Sequence, residues 1–476
     1  MKRFVCGCLM LSMLAGVLAS CNDVDVETKQ PADTTTISET TTAAPKGGNL
    51  PDGLLFNGET VRVMYQNNGF FMHDTQLNDE QVGELVSDTL LARNRKTEED
   101  LNITFEWIPG NLDWDIYPAD VNTAILAGEV PGDVVLFDAS RCISMALDGV
   151  FHEVSELPYI DDNNPWWHRG MMENLMVNGE KYMLTGGNSL ATMINTSATV
   201  FNKDMFTDVF GDVNQLYDLV EARKWTLDKL IEYSKAVYVD ENGDGTRDSE
   251  DTYGIVTLGG VATNLTRSIG LTYEKINDDG KLVLDIYNDQ ILSLVDKMRT
   301  LFWGGEASYH AEWDYNMLNH FAEGRSLFML HSLDGYASEQ MRAMEPTYGI
   351  IPNPVLEEGM EYFSHTMPVV SVIPVTEPTE RFNLVAAVLE KLAYEGYENV
   401  IPAWYEIAMK DKLADNQRDA DMIDLIYETM NTAKFSSVFP AYFYNVVEGK
   451  IPSNKYTSYH KANSAAMEAQ WAEMFH

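Results

Sequence analysis

The chain has little cysteine and few basic residues for its length. Four of its 476 residues are cysteine, and three of them lie within the first 21 residues, so Cys142 stands alone in the remainder and no intramolecular disulfide is expected there. The 33 Lys and Arg residues are outnumbered by 73 Asp and Glu residues, which gives a net charge of −40. A field of this sign repels nucleic acid and anionic headgroups. We therefore expect no nucleic-acid partner and a neutral or cationic ligand.

Long apolar runs and enzyme motifs are also missing. After the first 20 residues, no run approaches the roughly 20 apolar residues that span a bilayer. The chain has no dinucleotide-binding or phosphate-binding glycine loop, no zinc-protease motif and no Gly-x-Ser-x-Gly. We expect no catalytic residues and a protein that is not an enzyme. The alternative of a secreted glycan-degrading hydrolase, with two carboxylates beside a structural calcium ion, stays open.

The first 20 residues have the layout of a secretory signal peptide. Lys2 and Arg3 precede an apolar run from Phe4 to Leu18. The following Leu-Ala-Ser-Cys sequence resembles the bacterial lipoprotein box, in which the cysteine becomes the lipidated first residue. This resemblance implies lipidation of Cys21, for example with palmitate, and a location on the extracellular face of the bacterial cell membrane. The alternative is an ordinary cleaved signal with a chance cysteine.

The remaining chain divides into a linker and an α/β protein. Residues 21–52 are rich in Thr, Pro and Gly and are predicted to be a disordered linker. Three apolar or β-branched runs, 61–65, 103–107 and 133–137, are predicted to be strands separated by helices, which indicates a largely parallel sheet. Helical periodicity is found at residues 79–101, at 226–237 with Thr226 as the N-cap, and at 382–392.

An acidic segment at residues 240–251 matches a calcium-binding loop. Oxygen ligands fall at the first, third, fifth, ninth and twelfth positions, glycine falls at the sixth, and the Thr246 carbonyl oxygen supplies the seventh. The predicted structural Ca²⁺ ligands are Asp240, Asn242, Asp244, Thr246, Asp248 and Asp251. Aspartate at the twelfth position has a shorter reach than the usual glutamate. The alternative is an acidic surface turn without a metal.

Several aromatic residues lie near polar or turn-forming residues. They are Trp166, Trp167, Trp303, Trp313 and Tyr336. Aromatic faces stack on sugar rings while polar neighbours bind the hydroxyl groups, so these residues are candidates for a sugar site. Packing in the core is the alternative for each of them.

Several segments together resemble the family 1 extracellular solute-binding proteins, the receptors of ABC importers for sugars. They are Gly132–Val135 with Gly149–Val154, Val177–Tyr182, Val200–Phe206, Trp225–Leu230, Phe321–Met329 and Tyr348–Pro354. The resemblance covers residues 55–450 and implies an α/β, two-lobed periplasmic-binding-protein-like fold with several inter-lobe crossings. Residues 53–188 and 370–412 would form lobe 1, and residues 189–369 and 413–476 would form lobe 2.

The resemblance also implies a function and a set of contacts. The chain would capture a sugar or oligosaccharide by hinge closure and deliver it, as a monomer, to ABC permease transmembrane subunits, with membrane contact through the lipid anchor only. The implied ligand contacts are Asn67, Asn68, Phe137, Asp138, Ser140, Arg141, Asn195, Ser332, Asp334 and Tyr336. Trp303 and Trp313 are added as stacking candidates. Residues 333–336 replace the tryptophan that many sugar receptors have at this point, so a peptide or polyamine ligand stays open. A surface interaction module that uses the calcium loop for docking is a further alternative.

Overall fold

The computed structural model describes residues 47–68, 85–305, 307–311, 316–336, 338–345, 347–405, 409 and 416–475. The predicted signal peptide, Cys21 and most of the linker lie outside the described residues, and so does Trp313. No helix in the described part of the chain is long and apolar enough to cross a membrane.

The amino-terminal half alternates between strands and helices. Its elements are β1 (Glu59–Gln66), α1 (Leu85–Leu101), β2 (Ile103–Gly110), α2 (Ile116–Leu126), β3 (Val134–Asp138), α3 (Ala139–Leu147), α4 (Arg169–Asn174), α5 (Leu190–Ile194), β4 (Ser197–Asn202), α6 (Lys203–Phe210), α7 (Asn214–Glu221) and α8 (Leu227–Lys235). The three strands predicted from apolar runs are confirmed.

The carboxyl-terminal half adds strands to both sheets and ends in helices. Its elements are β5 (Tyr253–Leu258), α9 (Gly259–Ser268), β6 (Glu274–Ile276), β7 (Leu282–Leu284), α10 (Asp289–Trp303), β8 (Ser308–Ala311), α11 (Met317–Ala322), β9 (Ser326–Ser332), α12 (Leu333–Tyr336), α13 (Glu339–Ala343), β10 (Tyr348–Ile351), β11 (Ser364–His365), β12 (Val369–Val372), α14 (Phe382–Glu395), α15 (Gln417–Glu428), β13 (Met430–Asn431), α16 (Lys434–Val438), α17 (Pro440–Tyr444) and α18 (Tyr456–Phe475). The predicted helix at 382–392 is α14.

One sheet, which we call the first-lobe sheet, has the strand order β12-β3-β1-β2. Strand β1 is parallel to β2 and β3, whereas β12 runs antiparallel to β3. Every residue of β3 is buried, as its unbroken apolar sequence predicts for a central parallel strand. The carboxyl ends of β1, β2 and β3 share one edge of the sheet, with Asp138 at the end of β3 paired to Val369.

The other large sheet, the second-lobe sheet, has the order β10-β4-β9-β5-β8. Strand β5 is parallel to β8 and β9, while β4 is antiparallel to β9 and β10, so the sheet is mixed. Helix α8 packs on this sheet and begins at Thr226, whose hydroxyl group accepts a hydrogen bond from the Lys229 N–H. Glycine is required at Gly254 in β5 because a Cβ atom there would lie 2.0 Å from the Ser234 carbonyl oxygen.

The chain crosses between the two sheets through a set of hydrogen-bonded segments. It leaves the first-lobe sheet after β3, enters the second at β4, and returns between β10 and β12. Strands β11 and β13 pair in parallel beside these crossings. The Thr192 hydroxyl group accepts a hydrogen bond from the Val369 N–H, and the Thr366 hydroxyl group donates to the Thr192 carbonyl oxygen. The molecule is thus a two-lobed α/β protein with several inter-lobe crossings, whereas the exact residues at which one lobe gives way to the other remain a prediction.

Candidate ligand site between the lobes

A small polar cavity lies where the edge of the first-lobe sheet meets the crossings. We call it the hinge cavity, and its walls are Asp138, Ser140, Arg267, His365, Met367, Pro368, Thr432, Ser436, Ser437 and Pro440. Strand β3 and helix α3 supply the first two residues, helix α9 beside the second-lobe sheet supplies Arg267, and the crossing and carboxyl-terminal segments supply the rest. Groups that are distant in sequence therefore converge on one space.

Asp138 gives the hinge cavity a buried carboxylate. Its Oδ1 atom caps α3 by accepting hydrogen bonds from both the N–H and the hydroxyl group of Ser140. Burial raises the pKa of Asp138, and this effect is opposed by the Ser140 hydrogen bonds and by the positive charges of Arg141 and Arg267. No described residue donates a hydrogen bond to Oδ2, which leaves this oxygen available to a ligand hydroxyl group.

Arg267 brings a cation to the same cavity. Its guanidinium donates to the Asn264 side-chain oxygen and the Pro440 carbonyl oxygen, both at 3.1 Å, and lies 5.5 Å from the centre of the Phe443 ring. The Nε atom is buried and has no hydrogen-bond partner in the described chain. Burial lowers the pKa of Arg267 to about 10, so the side chain stays charged at neutral pH.

His365 is the second residue with unused hydrogen-bonding groups. It is 3% exposed, and neither ring nitrogen has a partner among the described residues. Burial, aided by the nearby charge of Arg267, lowers its pKa well below the ordinary value. At neutral pH the ring is therefore neutral and offers one donor and one acceptor. Buried polar atoms without partners are costly, so such a cluster indicates a place where a ligand or water completes the hydrogen bonds.

The volume of the hinge cavity limits what it holds in this conformation. It measures about 50 Å³, room for a few water molecules or hydroxyl groups. Small-molecule sites usually measure roughly 300–1,000 Å³. A sugar ring therefore does not fit inside, although hydroxyl groups projecting from a ring do.

A larger groove adjoins the hinge cavity. We call it the α2–α3 groove; it has a volume of about 370 Å³ and shares Ser140 and Pro440 with the hinge cavity. One wall is formed by α2 and α3 and the other by Val438, Gln470 and Met474 from the carboxyl-terminal segment. The Arg141 guanidinium forms an ion pair of 2.9 Å with Asp115 along this groove.

A still larger depression lies elsewhere and is a weaker candidate. It has a volume of about 630 Å³ and lies on the second lobe, with Asp204, Glu323 and Glu345 among its lining residues. First-lobe residues do not line it, and no buried unpartnered polar atom has been found among its lining residues. The hinge cavity is the better candidate because both lobes contribute polar groups to it.

The structure brings together only some of the residues predicted from the sequence. Asp138 and Ser140 line the hinge cavity, and Ser140 and Arg141 line the α2–α3 groove. Phe137 is 1% exposed and packs on Tyr117 and Phe151 in the core, because alternate residues of β3 face opposite sides of the sheet.

Two other aromatic candidates line neither the hinge cavity nor the α2–α3 groove, and their role as ligand contacts stays a prediction. Tyr336 is fully buried, and its hydroxyl group donates to the Ala198 carbonyl oxygen at 2.7 Å. Trp303 ends α10 and packs beside Phe302 and His310. Trp166 and Trp167 are likewise buried in the core of the first lobe. Core packing, the alternative reading of these rings, therefore describes them.

The remaining predicted contacts lie near sheet edges without lining either space. Asn67 and Asn68 follow β1, and the Asn68 side chain donates to the Leu112 carbonyl oxygen at 3.4 Å. Asn195 ends α5 with a buried, unpartnered Nδ2 atom. The Ser332 hydroxyl group donates to Asp334 where β9 ends. Their role as ligand contacts stays a prediction.

Sequence reasoning missed Arg267 and His365. Arg267 lies in a short helix for which no functional motif was found, and His365 occupies a two-residue strand. The one available signal was chemical, since an arginine and a histidine in otherwise uncharged segments of an acidic chain are unusual.

In the predicted calcium loop, carboxylate side chains accept hydrogen bonds from main-chain N–H groups of the same loop. Asp240 accepts hydrogen bonds from the N–H groups of Gly243 and Gly245, and both glycines have a positive φ near 70°. Asp251 is fully buried and accepts hydrogen bonds from the Tyr238 hydroxyl group and the Glu241 N–H. Within the described chain, no three His, Cys, Asp or Glu side chains converge as metal ligands. The calcium site stays a prediction.

Comparison with known proteins defines the class of the chain. A family model for bacterial extracellular solute-binding proteins matches residues 93–383. The chain belongs to this family. No match was found among curated protein sequences.

Solved structures of the same fold bind chemically different solutes. A solute-binding protein from Thermotoga lettingae, bound with α-D-tagatose, is 15% identical, with a TM-score of 0.53 and coverage of 87% of this chain and 99% of that one. The lacto-N-biose complex of a Bifidobacterium longum binding protein is 11% identical, with a TM-score of 0.55 and coverage of 87% of this chain and 98% of that one. UgpB from Mycobacterium tuberculosis, in complex with glycerophosphocholine, is 15% identical, with a TM-score of 0.55 and coverage of 81% of this chain and 96% of that one. At these identities the likeness shows the fold.

Proposed function

We propose that this chain is the receptor of an ABC importer and captures a sugar or oligosaccharide between its lobes. Hinge closure traps the solute, no bond is made or broken, and a permease receives the solute from the closed receptor. The observation that carries the proposal is the hinge cavity. In this member of the solute-binding family, polar groups from both lobes and from the crossings surround that cavity.

The polar groups of the cavity are of the kind that bind hydroxyl groups. A carboxylate, a guanidinium and a neutral imidazole supply acceptors and donors in a buried setting. Two of the similar structures hold saccharides, which supports the same solute class here. Closure around a bound solute would stabilise the folded state by mass action.

Thermal unfolding with a solute panel tests this proposal. At a solute concentration of about 100 times Kd, the bound state gains roughly 2.7 kcal/mol, which raises the Tm measurably. We expect at least one saccharide to raise the Tm and to be recovered intact. A shift with peptides or polyamines alone would contradict the sugar assignment, and cleavage of the saccharide would contradict the receptor assignment.

We also propose attachment of the mature chain to the outer face of the membrane through Cys21. The support is the cationic and apolar start of the chain and the Leu-Ala-Ser-Cys sequence. Fractionation of the producing bacterium should find the wild type with the membrane and Cys21→Ser in the soluble fraction. Release of both proteins, or retention of both, would contradict the anchor.

A structural calcium ion in the loop at residues 240–251 is a further proposal from sequence. The spacing of the oxygen ligands supports it. Calorimetric titration should show binding to the wild type and none to Asp244→Ala, with Asp212→Ala as a control outside the loop. Equal heats for wild type and Asp244→Ala would remove the site.

A further inference from the structure

The unused hydrogen-bonding atoms of the hinge cavity specify the chemistry of the missing partner. Arg267 Nε and the two ring nitrogens of neutral His365 have no partner among the described residues and offer two donors and one acceptor. The hydrogen bonds that Asp138 accepts from Ser140 both go to Oδ1, which leaves Oδ2 as a further acceptor. The cavity therefore offers both donors and acceptors. A hydroxyl group both donates and accepts, so two adjacent hydroxyl groups can satisfy all of these atoms.

An anionic group would fit this set poorly. A carboxylate or phosphate only accepts hydrogen bonds, which would leave the His365 acceptor unpaired and place a second negative charge beside Asp138. The Arg267 charge is already opposed by Asp138 within the same cavity. The balance of charge therefore favours an uncharged solute, although one similar structure holds a phosphodiester.

The sizes of the two neighbouring spaces indicate how the solute lies. The hinge cavity, at about 50 Å³, admits hydroxyl groups, whereas the α2–α3 groove, at about 370 Å³, is large enough for sugar rings. Both have Ser140 and Pro440 as walls. A sugar with its hydroxyl groups in the cavity would therefore extend along α2 and α3.

We propose that Arg267, His365 and Asp138 bind two adjacent hydroxyl groups at one end of an uncharged sugar, whose remaining rings lie in the α2–α3 groove. This inference rests on the proposed receptor function and names the part of the solute that the hinge cavity recognises. It assigns the selectivity of the receptor to Arg267 and His365.

Binding measurements on matched variants test the cavity part of the inference. Calorimetry would use maltotriose, cellotriose and xylotriose as neutral probes and digalacturonate and glycerol 3-phosphate as anionic probes. His365→Phe keeps a flat ring and removes both nitrogens, and Arg267→Gln removes the charge. We expect Kd for a neutral probe to rise roughly tenfold or more in each variant. Arg418→Gln, at a surface arginine that stacks on Tyr217, is the matched control and should bind normally.

A second variant tests the direction of the sugar. Ser144 is an exposed residue of α3 that lines the α2–α3 groove, so Ser144→Trp should narrow this groove without touching the hinge cavity. We expect this variant to weaken trisaccharide binding at least tenfold while leaving the Kd for the corresponding monosaccharide within twofold. Equal weakening of both, or of neither, would overturn the assignment of the rings to the groove.

The outcomes separate this inference from the function on which it rests. If no saccharide binds the wild type, the sugar-receptor proposal fails. If neutral probes bind and His365→Phe and Arg267→Gln bind them as tightly as the wild type, the receptor stands and the inference is overturned. Binding of the anionic probes alone would also overturn it. Unfolding curves of the unliganded variants show whether each is folded before binding is measured.

Discussion

A buried aspartate lies at each end of strand β3, and the two differ in how many hydrogen bonds their carboxylates accept. Asp133, before the strand, accepts hydrogen bonds from the Arg62 main chain and side chain and from the Arg381 guanidinium. At the other end, the Asp138 side chain accepts hydrogen bonds from Ser140 alone among the described residues, and the Nε atom of Arg267 in the same cavity has no partner there.

This difference separates a carboxylate that serves the fold from one that is free for a ligand. Asp133 lies among Arg62, Arg381 and Glu377, all held by the first lobe, so its bonds form once when the lobe folds. The bonds that Asp138 lacks lie toward the crossings and the second lobe. A group completed only when both lobes meet around a solute is suited to sensing that solute.

The largest expected effect is a loss of stability at Asp133. Asp133→Asn would turn an amide group toward two arginines that now donate to a carboxylate. Breaking a buried ion pair typically costs about 3 kcal/mol or more of unfolding free energy, and urea unfolding should show a loss of this size. Asp228→Asn, which removes an exposed pair with Lys297, should cost at most about 1 kcal/mol. Near-equal losses in the two variants would break the comparison.

The opposite pattern is expected at Asp138. Asp138→Asn should raise Kd for the saccharide that stabilises the wild type by roughly tenfold, because a charged acceptor of hydroxyl donors is lost. Burial raises the pKa of Asp138, so the ionised side chain costs stability at neutral pH and the neutral amide should leave the protein about as stable as before. If Asp138→Asn bound the saccharide normally but lost stability, Asp138 would be a structural carboxylate like Asp133.

The fold was largely predictable because it depends on patterns that extend over many residues. The alternation of strands and helices and the caps of α3 and α8 follow from local sequence, and β1, β2 and β3 lie where their apolar runs predicted. The mixed second-lobe sheet was not predictable in this way, because the antiparallel pairing of β4 with β9 joins residues more than 120 positions apart.

The candidate site was less predictable because it depends on contacts between distant segments. Asp138 and Ser140 were expected as contacts through the resemblance to solute-binding proteins, and both line the hinge cavity. The burial of Phe137 and Tyr336 in the core could not be predicted, because no sequence pattern shows which side of a strand or helix faces the cleft. Arg267 and His365 reach the cavity from α9 and β11, whose positions are fixed only by tertiary packing.

A smaller effect at the Asp133 end should appear as a dependence of stability on pH. Burial and the negative charge of Asp133 raise the pKa of Glu377 from an ordinary value of 4.5 to about 7. The hydrogen bond from Arg381 opposes this rise. The folded protein holds this proton more tightly than the unfolded chain, so stability is lost as pH rises from about 4.5 to about 7. Unfolding measured across this range should show a shallower loss in Glu377→Gln than in the wild type, and exposed Glu380→Gln should match the wild type.

The smallest expected effect concerns the one pair of bonds that holds Asp138 in place. The Ser140 N–H and hydroxyl group both donate to Asp138 Oδ1, so Ser140→Ala removes one donor while the main-chain cap of α3 remains. We expect a loss of about 1 kcal/mol or less in unfolding free energy and a rise of a few-fold in Kd, since the carboxylate is less well oriented toward the solute. Ser453→Ala, which removes an exposed hydroxyl group that donates to the Gly449 carbonyl oxygen, should leave Kd unchanged. An unchanged Kd in Ser140→Ala would show that the main-chain N–H of Ser140 is enough to orient Asp138. The Ser140 hydroxyl group would then have no part in binding the solute.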